Sequence, residues 1–448
     1  MKMSIAGLFC ALSVVYGKDQ HGVVLDAGSS GTRVIVFRWD TAAPLRTLTQ
    51  LRHRKVKPGL SHCASSGCDN AIARSCARGA IASILDVGAE ALTREEAART
   101  SVYLRATAGL RLLPSDARTA LLSGACDAIA QSGFASCTST LDCPRMVTGE
   151  EEARFDWLSA NAALFLLGGA ANGTVGVLDL GGGSTQIAFA TRVEPAVGRR
   201  LASGAAAATA PLYAVSRLNF GANEAYARLG EEEGGGAVCG VGRAGDFDAC
   251  LAAVRAWIAE SEAAGLGGLG PSPAAPPLLK PLAAELKSSG DTMPFVAFDN
   301  FAVTVGALWG DAVASGAMRG SWPRYAALTR AALPAPTLSE IATRARALCS
   351  LSWEERRASV VAPPAPNSVS DFKLAKSCFS AAYTVALLAD VYGIGLDERR
   401  VAFAATLNGF EGSWALGAMA HEIITAASVS AVSCAAGGGG GGGVCEII

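Results

Sequence analysis

Several patterns that mark common classes of protein are missing from this chain of 448 residues. Lysine and arginine number 38 against 39 aspartates and glutamates, so there is no basic excess with which to bind nucleic acid. No stretch reaches the roughly 20 uninterrupted apolar residues that a membrane-spanning helix needs. No CxxC pair occurs, and the four histidines do not cluster with cysteines, which argues against a zinc site. We therefore expect no nucleic-acid partner and no stable membrane anchor.

The N-terminus and the cysteines indicate the secretory pathway. Lys2 precedes a short apolar run at residues 5–15 and then the small residue Gly17, which is typical of a signal peptide over residues 1–17. Of the 13 cysteines, Cys10 lies in that segment, and the even number that remains favours disulfides. Asn172, in the sequence NGT, is a candidate glycosylation site. The sequence predicts a secreted protein, or a lumenal protein of the ER, Golgi or vacuole.

One sequence motif occurs twice in the chain, as VVLDAGSSGTRVIVF at residues 23–37 and as VGVLDLGGGSTQIAF at residues 175–189. When Asp26 is aligned with Asp179, further positions correspond: Gly28 with Gly181, Thr32 with Thr185, and Arg33 with Gln186. Each copy is typical of a strand, a tight polar turn and a second strand. An ordinary hairpin turn would explain one copy alone. The repeated Asp and Thr positions favour a shared function instead.

Turns of this composition suit phosphate, because successive backbone N–H groups can point at one anion with no Cβ in the way. An aspartate at the strand end, beside phosphates, suits a divalent cation held through water. Neither copy contains GK[ST], and a strand follows each turn instead of a helix, so the Walker and dinucleotide-binding fingerprints do not fit. Two such hairpins facing each other would hold a polyphosphate chain from both sides, as in the two-lobed actin-like phosphotransferases.

Two segments between the copies supply further candidates. Residues 101–114 indicate a buried strand that ends near Thr107, whose small neighbours suit either an ordinary turn or close approach to a phosphate. Farther on, Thr148 and Glu151 form a capping box that begins a helix. The apolar face of that helix comprises Phe155, Leu158, Ala162 and Phe165. Glu152 belongs either to a solvated acidic helix start or to a site where it deprotonates a water that attacks a phosphoryl group.

These segments, and others after them, resemble the apyrases, or nucleoside triphosphate diphosphohydrolases. The matches follow the family's order from about residue 23 to residue 417, nearly the whole mature chain. They are VLDAGSSGTR, RATAGLRLLP, GEEEARFDWLSAN, LDLGGGSTQIAF, FVAFDNFAV, LCSLSW, CFSAAYTVALLADVYG and GSWALG. So many matches in one order are highly specific.

The resemblance implies roles for individual residues. Glu152 matches the family's catalytic base, and Ser184 and Gln186 match residues that position the attacking water. Asp26 and Asp179 match the pair that holds a hydrated Mg²⁺ or Ca²⁺, with Thr107 nearby. The implied phosphate-binding residues are Ser29, Ser30, Gly31, Thr32, Arg33, Thr107, Ala108, Gly181, Gly182, Gly183 and Ser184.

Two aromatic residues and four cysteines also match the family. Phe301 and Phe372 fall near positions where family members sandwich the nucleobase, although a core role for Phe301 fits equally well. The resemblance implies disulfides joining Cys349 to Cys378 and Cys239 to Cys250.

The implied fold is α/β, with two ribonuclease H-like (actin-like) lobes and the active site in the cleft between them. Lobe I would comprise residues 22–159 and 413–433, and lobe II residues 160–412. Residues 230–277 are low in complexity, which is typical of a surface insertion, and residues 434–448 form a flexible Gly-rich tail.

The implied activity is cation-dependent hydrolysis of the terminal phosphates of nucleoside tri- and diphosphates, by direct attack of a water that Glu152 activates. One alternative is an exopolyphosphatase, because Ala153 and the GGGST loop are typical of those relatives. The GSSGTR loop, Trp157, CFS and GSWALG are typical of apyrases. A second alternative is a nucleotide-gated binding protein like actin. Glu152, the cysteines and the predicted secretion signal argue against it.

Overall fold

The computed structural model describes residues 18–65, 68–135, 144–167, 173–191, 212–231, 238–265, 293–309, 333–359 and 370–436. The strands are β1 (Asp19–Gly28), β2 (Gly31–Asp40), β3 (Thr49–Val56), β4 (Ser101–Ala106), β5 (Arg145–Met146), β6 (Gly176–Leu180), β7 (Ser184–Ala190), β8 (Leu212–Leu218), β9 (Phe295–Asp299), β10 (Val401–Phe403), β11 (Thr406–Leu407) and β12 (Phe410–Glu411).

The helices are α1 (Pro44–Thr47), α2 (Asn70–Ala89), α3 (Arg94–Ala97), α4 (Ala108–Arg111), α5 (Ser115–Gln131), α6 (Gly149–Ala163), α7 (Ala222–Glu231), α8 (Phe247–Ala263), α9 (Asn300–Trp309), α10 (Leu338–Cys349), α11 (Trp353–Ser359), α12 (Asp371–Ala375), α13 (Ser377–Ala386) and α14 (Ala415–Ala436). A 3₁₀ turn lies at Leu60–Ala64 and a π-helical turn at Leu387–Val391. None of the described helices is long and apolar enough to cross a membrane.

The two five-stranded sheets have the same topology. Sheet one has the order β3-β2-β1-β4-β5, in which β1, β2 and β3 are antiparallel and β4 and β5 continue the sheet in parallel. Sheet two has the order β10-β9-β6-β7-β8 with the same pattern, three antiparallel strands and two parallel ones. Strands β1 and β6, which carry the repeated aspartates, occupy the same central position. The predicted α/β fold with two related lobes is confirmed.

Alternating side chains of the central strands build three layers of core. Val23 and Leu25 pack with α2 and α5 on the outer face of sheet one. Leu178 on β6 packs with α8 and α13 on the outer face of sheet two. Between the sheets, Val24 and Val177 join one cluster with residues of α6 and α14. Both faces of the central strands are therefore buried, and because side chains alternate along a strand, neighbouring residues enter different cores.

Helix α6 lies between the sheets and positions the predicted catalytic glutamate. The predicted capping box is present, since Glu151 N donates to Thr148 Oγ1 and Thr148 N donates to Glu151 Oε2. The ring of Phe155 lies 6.2 Å from that of Trp414, next to α14. Phe165, predicted on the apolar face, lies beyond the end of the helix and is exposed. The predicted lobe boundary at residue 159 falls inside this helix.

The segment predicted as a surface insertion contains a core helix. Helix α8 begins after Asp246, whose side chain accepts hydrogen bonds from Asp248 N and Ala249 N. Its Val254 and Trp257 side chains are buried in the core of sheet two. The prediction of a surface insertion was therefore wrong for α8. The apolar residues of α8 recur at helical spacing, which is the pattern of a helix with one buried face. Residues 266–277 lie outside the described residues.

Three disulfides join described cysteines. Cys239 is bonded to Cys250 and Cys349 to Cys378, the two pairs that the resemblance implied. A third bond joins Cys63 to Cys76, a pair that no sequence argument identified. The predicted signal peptide, Asn172 and residues 437–448 lie outside the described residues, and α14 extends through the first residues of the predicted tail.

Candidate active site

A cleft lies where the two hairpin turns meet. Its walls come from both sheets, from the turn after β4 and from the start of α6. They comprise Asp26, Gly28, Ser29, Ser30, Arg33, Thr107, Ala108, Glu152, Asp179, Gly181, Gly182, Gly183, Ser184, Asp299, Ser413 and Trp414. Most of the residues that the sequence singled out are therefore brought together, although they come from segments far apart in the chain.

The tips of the hairpins touch each other. Strands β1 and β2 pair from Asp19 with Asp40 to Gly28 with Gly31, which leaves Ser29 and Ser30 as a two-residue turn. A Cβ placed on Gly182 would lie 2.5 Å from Ser29 Oγ, closer than real atoms approach. A side chain at this position would require the side chains of Ser29 and Asn223 to move. Two polar turns thus enclose the cleft from opposite sides, the arrangement expected for a polyphosphate site.

Two of the predicted phosphate-binding residues lie behind the first turn. A Cβ on Gly31 would meet the side chain of Lys55 at 2.8 Å, and Thr32 is only 6% exposed. Lys55 on β3 reaches over the turn, where its Nζ lies 3.0 Å from Ser30 Oγ and donates to it. The structure therefore places an ammonium group beside the turn that the sequence prediction did not include.

Arg33 is held by acidic residues within the cleft. Its Nη1 donates to Asp26 Oδ2 at 2.7 Å, its Nε lies 3.4 Å from Glu411 Oε1, and its Nη2 lies 3.9 Å from Asp299 Oδ2. Burial raises the pKa of Asp26, although Arg33 opposes this. The nearby carboxylates raise the pKa of Arg33, so the guanidinium stays charged and fixed in direction.

The three residues predicted to activate water are linked by side-chain hydrogen bonds. Glu152 is 5% exposed and pairs with the guanidinium of Arg111. Arg111 Nη2 also donates to Ser184 Oγ at 3.3 Å. Gln186 Nε2 donates to Ser184 Oγ at 2.7 Å and to Ser216 Oγ at 3.0 Å. Glu152, Ser184 and Gln186 therefore form one connected group, with Arg111 as the bridge.

The environment of Glu152 suits a general base near neutral pH. Burial raises the pKa of this carboxyl to about 7, the Arg111 guanidinium lowers it, and the Asp26 carboxylate raises it. A base is most effective when its pKa lies near the working pH, because it is then both available and able to hold a proton. The catalytic role that the resemblance implied for Glu152 stays a prediction, and burial in the cleft is the environment that such a base needs.

The aspartates of the cleft suit a hydrated divalent cation. Asp26 Oδ1 and Asp179 Oδ1 are buried and have no hydrogen-bond partner in the described part of the chain. Burial, and then the Asp299 and Glu152 carboxylates, raise the pKa of Asp179 well above its usual range. Carboxylate oxygens are the ligands that Mg²⁺ and Ca²⁺ prefer. Among the described residues, no group of three His, Cys, Asp or Glu side chains is arranged to hold a metal ion.

A second cavity lies next to the cleft. Asn300 lines it and donates to Leu180 O at 2.7 Å, beside the second phosphate turn. Phe372 also lines it and is 62% exposed, whereas Phe301 is fully buried in the core of sheet two. The base-binding prediction for Phe301 is therefore corrected to core packing, since a buried ring cannot stack on a ligand. Phe372 remains a candidate.

Besides Lys55, sequence reasoning missed three further polar residues at the site. Arg111 lies four residues after Thr107 in a segment that was singled out, so its spacing on a helical turn was the available signal. Ser216 lies on β8, and nothing local to that strand marks it. Asp299 lines the cleft with φ of 46°, a left-handed conformation that is uncommon outside glycine and is often found at functional sites.

Comparison with known proteins gives relatives over most of the chain. Golgi apyrase of Schizosaccharomyces pombe is 30% identical over 237 residues, which cover 47% of this chain and 40% of the relative. Human ectonucleoside triphosphate diphosphohydrolase 6 is 38% identical over 176 residues, covering 39% of this chain and 34% of the relative. Probable apyrase 6 of Arabidopsis thaliana is 26% identical over an alignment of 469 positions, covering 95% of this chain and 77% of the relative. The chain thus spans two fifths or less of the first two relatives' length.

Solved structures share the fold at low sequence identity. A nucleoside triphosphate hydrolase from Neospora caninum superimposes with a TM-score of 0.59 at 16% identity, covering 92% of this chain and 93% of that one. The Ppx/GppA family member of Aquifex aeolicus gives a TM-score of 0.51 at 14% identity, covering 91% of this chain and 99% of that one. At such identities the likeness shows the fold alone.

A family model gives the more specific result. The model described as the GDA1/CD39 (nucleoside phosphatase) family matches residues 15–233 and 325–433, well over half of the chain. These ranges contain both glycine-rich turns, the Thr107 turn, the Glu152 helix and the GSWALG segment. The resemblance to apyrases is confirmed, and the protein belongs to the GDA1/CD39 (nucleoside phosphatase) family.

Proposed function

We propose that this protein hydrolyses the terminal phosphates of nucleoside tri- and diphosphates in the cleft between its lobes, with Mg²⁺ or Ca²⁺. One observation carries the proposal most directly. A buried glutamate with a pKa of about 7 is linked to Ser184 and Gln186 in the same cleft as both glycine-rich turns. Water activation and phosphate binding thus occur side by side.

In the proposed reaction the two turns hold the terminal phosphates, and Ser184 and Gln186 orient a water. The water oxygen attacks the terminal phosphorus, and the bond from that phosphorus to the bridging oxygen breaks. The bridging oxygen leaves on the shortened nucleotide, while Glu152 accepts the proton of the water. A bound cation, held through water by Asp26 and Asp179, would supply positive charge to the phosphates. No phosphorylated protein side chain is needed.

The proposal is tested by measuring phosphate release from ATP, ADP and UDP with Mg²⁺ or Ca²⁺ and then with EDTA. We expect many turnovers with either cation and none with EDTA, because the cleft aspartates repel phosphates unless a cation compensates them. Nucleotide that remains bound after desalting is measured in parallel. Slow, single turnover with tightly retained nucleotide would instead support an actin-like nucleotide-gated binding protein.

We also propose that the cavity beside the cleft takes the nucleobase. Lys376 Nζ lies 4.0 Å from the ring centroid of Phe372 and 3.5 Å from that of Tyr226. Cation–π attraction therefore holds the ammonium group and the two rings together. Phe372 leaves much of its ring free to stack on a base. Stacking is worth about 1–3 kcal/mol per base, and it tolerates different bases because each has an aromatic face.

We expect Phe372→Ala to raise KM for nucleotides about tenfold with a small change in kcat, because stacking contributes binding remote from the reacting phosphorus. Steady-state kinetics with ADP separate the two quantities. Inhibition of ADP hydrolysis by inorganic pyrophosphate, which has no base, should not respond to the change. Ile72→Ala is the matched control, since Ile72 is an exposed apolar residue on α2. An unchanged KM for ADP would remove Phe372 from the base site.

We propose, finally, that the protein works in the secretory pathway. Three disulfides favour an oxidising compartment, and one relative is named Golgi apyrase. Expression in eukaryotic cells should give a secreted or lumenal protein whose N-terminus begins near residue 18. A cytosolic protein that retains its first residues would contradict this.

A further inference from the structure

Asp156 is a buried acid that the proposed reaction does not use. It lies one helical turn after Glu152 on α6 and is 0% exposed. Neither of its carboxylate oxygens has a hydrogen-bond partner among the residues that the structure describes. A buried carboxylate without hydrogen-bond partners is energetically unfavourable unless a ligand interacts with its oxygens. The resemblance assigned no role to this position.

The neighbours of Asp156 are the acidic residues of the cleft. Burial raises the pKa of Asp156 well above its usual range, and four carboxylates raise it further, with Asp179 first among them. The others, in order, are Glu152, Asp26 and Asp299. Asp156 is therefore within electrostatic reach of the four carboxylates that line the cleft.

The packing of α6 explains this placement. Asp179, Gln186 and Ser216 are register partners on adjacent strands, so their side chains lie on one face of sheet two. A Cβ on Gly149 would lie 2.3 Å from Ser216 Cβ, so α6 begins against that face. Asp156 lies seven residues later, about two turns, and so returns to the same side of the helix.

The direction of the side chain completes the placement. Helical side chains lean towards the N-terminus of their helix, which directs the Asp156 carboxylate back towards the level of Glu152 and Asp179. Asp179 Oδ1 and Asp26 Oδ1 are likewise buried with no hydrogen-bond partner in the described ranges. Three buried carboxylates thus have unsatisfied acceptor oxygens, two of them in the cleft wall and one on α6, and these oxygens need donors or a cation.

We propose that Asp156 is a further carboxylate of the cation site and binds the ion's water shell behind Asp179. The inference rests on the proposed cation-dependent function. It assigns Asp156 as a positioning residue, because water separates it from the ion and it touches neither nucleotide nor attacking water. Outer-shell partners of this kind typically change metal affinity by about 10–100-fold when they are mutated.

The test is a titration of the full-length protein with Mn²⁺, followed by electron paramagnetic resonance, with and without a non-hydrolysable ATP analogue. We expect Asp156→Asn to raise the apparent Kd for Mn²⁺ about tenfold or more. It should also raise the Tm of the cation-free protein, because burying this acid without a partner costs stability, and it should reduce the further rise that Mn²⁺ produces. Glu150→Gln, a change at an exposed acid of the same helix, should leave the Kd unchanged.

Two results would overturn the inference, and they are distinguishable. An Asp156→Asn protein that binds Mn²⁺ as tightly as the wild type would make Asp156 a structural acid only. A wild-type protein that binds no Mn²⁺ with or without the analogue would instead refute the proposed cation dependence itself. If the Asn variant does not fold, by circular dichroism, Asp156→Ser is used, and the same rise in Kd is expected.

Discussion

Glu152→Gln should lower kcat for nucleotide hydrolysis by about 10²–10⁴-fold while nucleotide affinity changes little. The amide keeps the size of the side chain but cannot accept the proton of the attacking water, and general-base catalysis contributes a factor of this size. Arg111, which pairs with Glu152, would lose a charged partner, but Ser184 and the two turns would still hold the phosphates. Single-turnover rates and equilibrium binding of a non-hydrolysable analogue separate the two quantities.

The adjacent glutamate provides the matched control. Glu150 is 47% exposed on the same helix, so Glu150→Gln should retain nearly full activity. Glu151 would be a poor control, because it forms the capping box and its loss would destabilise α6. If Glu152→Gln retained appreciable turnover, or if both variants lost activity equally, the assignment of Glu152 as the base would be wrong.

The pH dependence of the wild-type enzyme gives a second readout of the same residue. Because burial raises the pKa of Glu152 to about 7, the carboxylate form is lost as the pH falls through that value. Only the carboxylate can act as the base, so kcat/KM should fall as the pH decreases, with a midpoint at or below about 7 because a bound cation stabilises the carboxylate. A profile measured at saturating cation that stays flat down to about pH 5 would contradict this pKa.

Asp179→Asn should lower kcat/KM by at least about 10–100-fold at a fixed cation concentration, with part of the loss recovered when the cation is raised. The change removes one of the two charges that would hold the ion through water. It should also raise the Tm of the cation-free protein. The folded-state pKa of Asp179 lies well above the unfolded value, so its ionisation costs stability at neutral pH.

Thermal unfolding and cation titrations of activity test both parts of this expectation. Asp390→Asn is the control, because Asp390 is an exposed aspartate, 43% accessible, that pairs with Arg255 in the same half of the chain. For Asp179→Asn we expect a higher Tm in the absence of cation. We also expect added cation to increase its activity less than it increases that of the wild type. Equal cation dependence in the variant and the wild type would exclude Asp179 from the site.

The features that were predicted correctly depend on short segments of sequence. The paired hairpins follow from two copies of one sequence motif, and the start of α6 follows from Thr148 and Glu151 alone. These are local signals, in which a turn or cap is determined by residues a few positions apart. The family resemblance added the order of the segments, and it brought Glu152, Asp26 and Asp179 into one site.

The features that were missed depend on contacts between distant segments. Arg111 bridges Glu152 and Ser184 only because the turn after β4 packs beside α6 and the second hairpin. Asp156 becomes an unsatisfied acid only once sheet two covers its helix. Helix α8 was misread for a different reason, since glycine-rich flanks obscured the helical spacing of Phe247, Val254 and Trp257. Tertiary packing decided the outcome for Arg111 and for Asp156.

The measurement that tests the central claim most directly compares phosphate release from ATP and ADP with release from long-chain polyphosphate. The purified protein is assayed with Mg²⁺ or Ca²⁺, and the Glu152→Gln variant and EDTA serve as blanks. We predict cation-dependent release from the nucleotides, abolished by the variant, and none from polyphosphate. Release from polyphosphate alone would contradict the account and show that Ala153 and the GGGST turn mark an exopolyphosphatase.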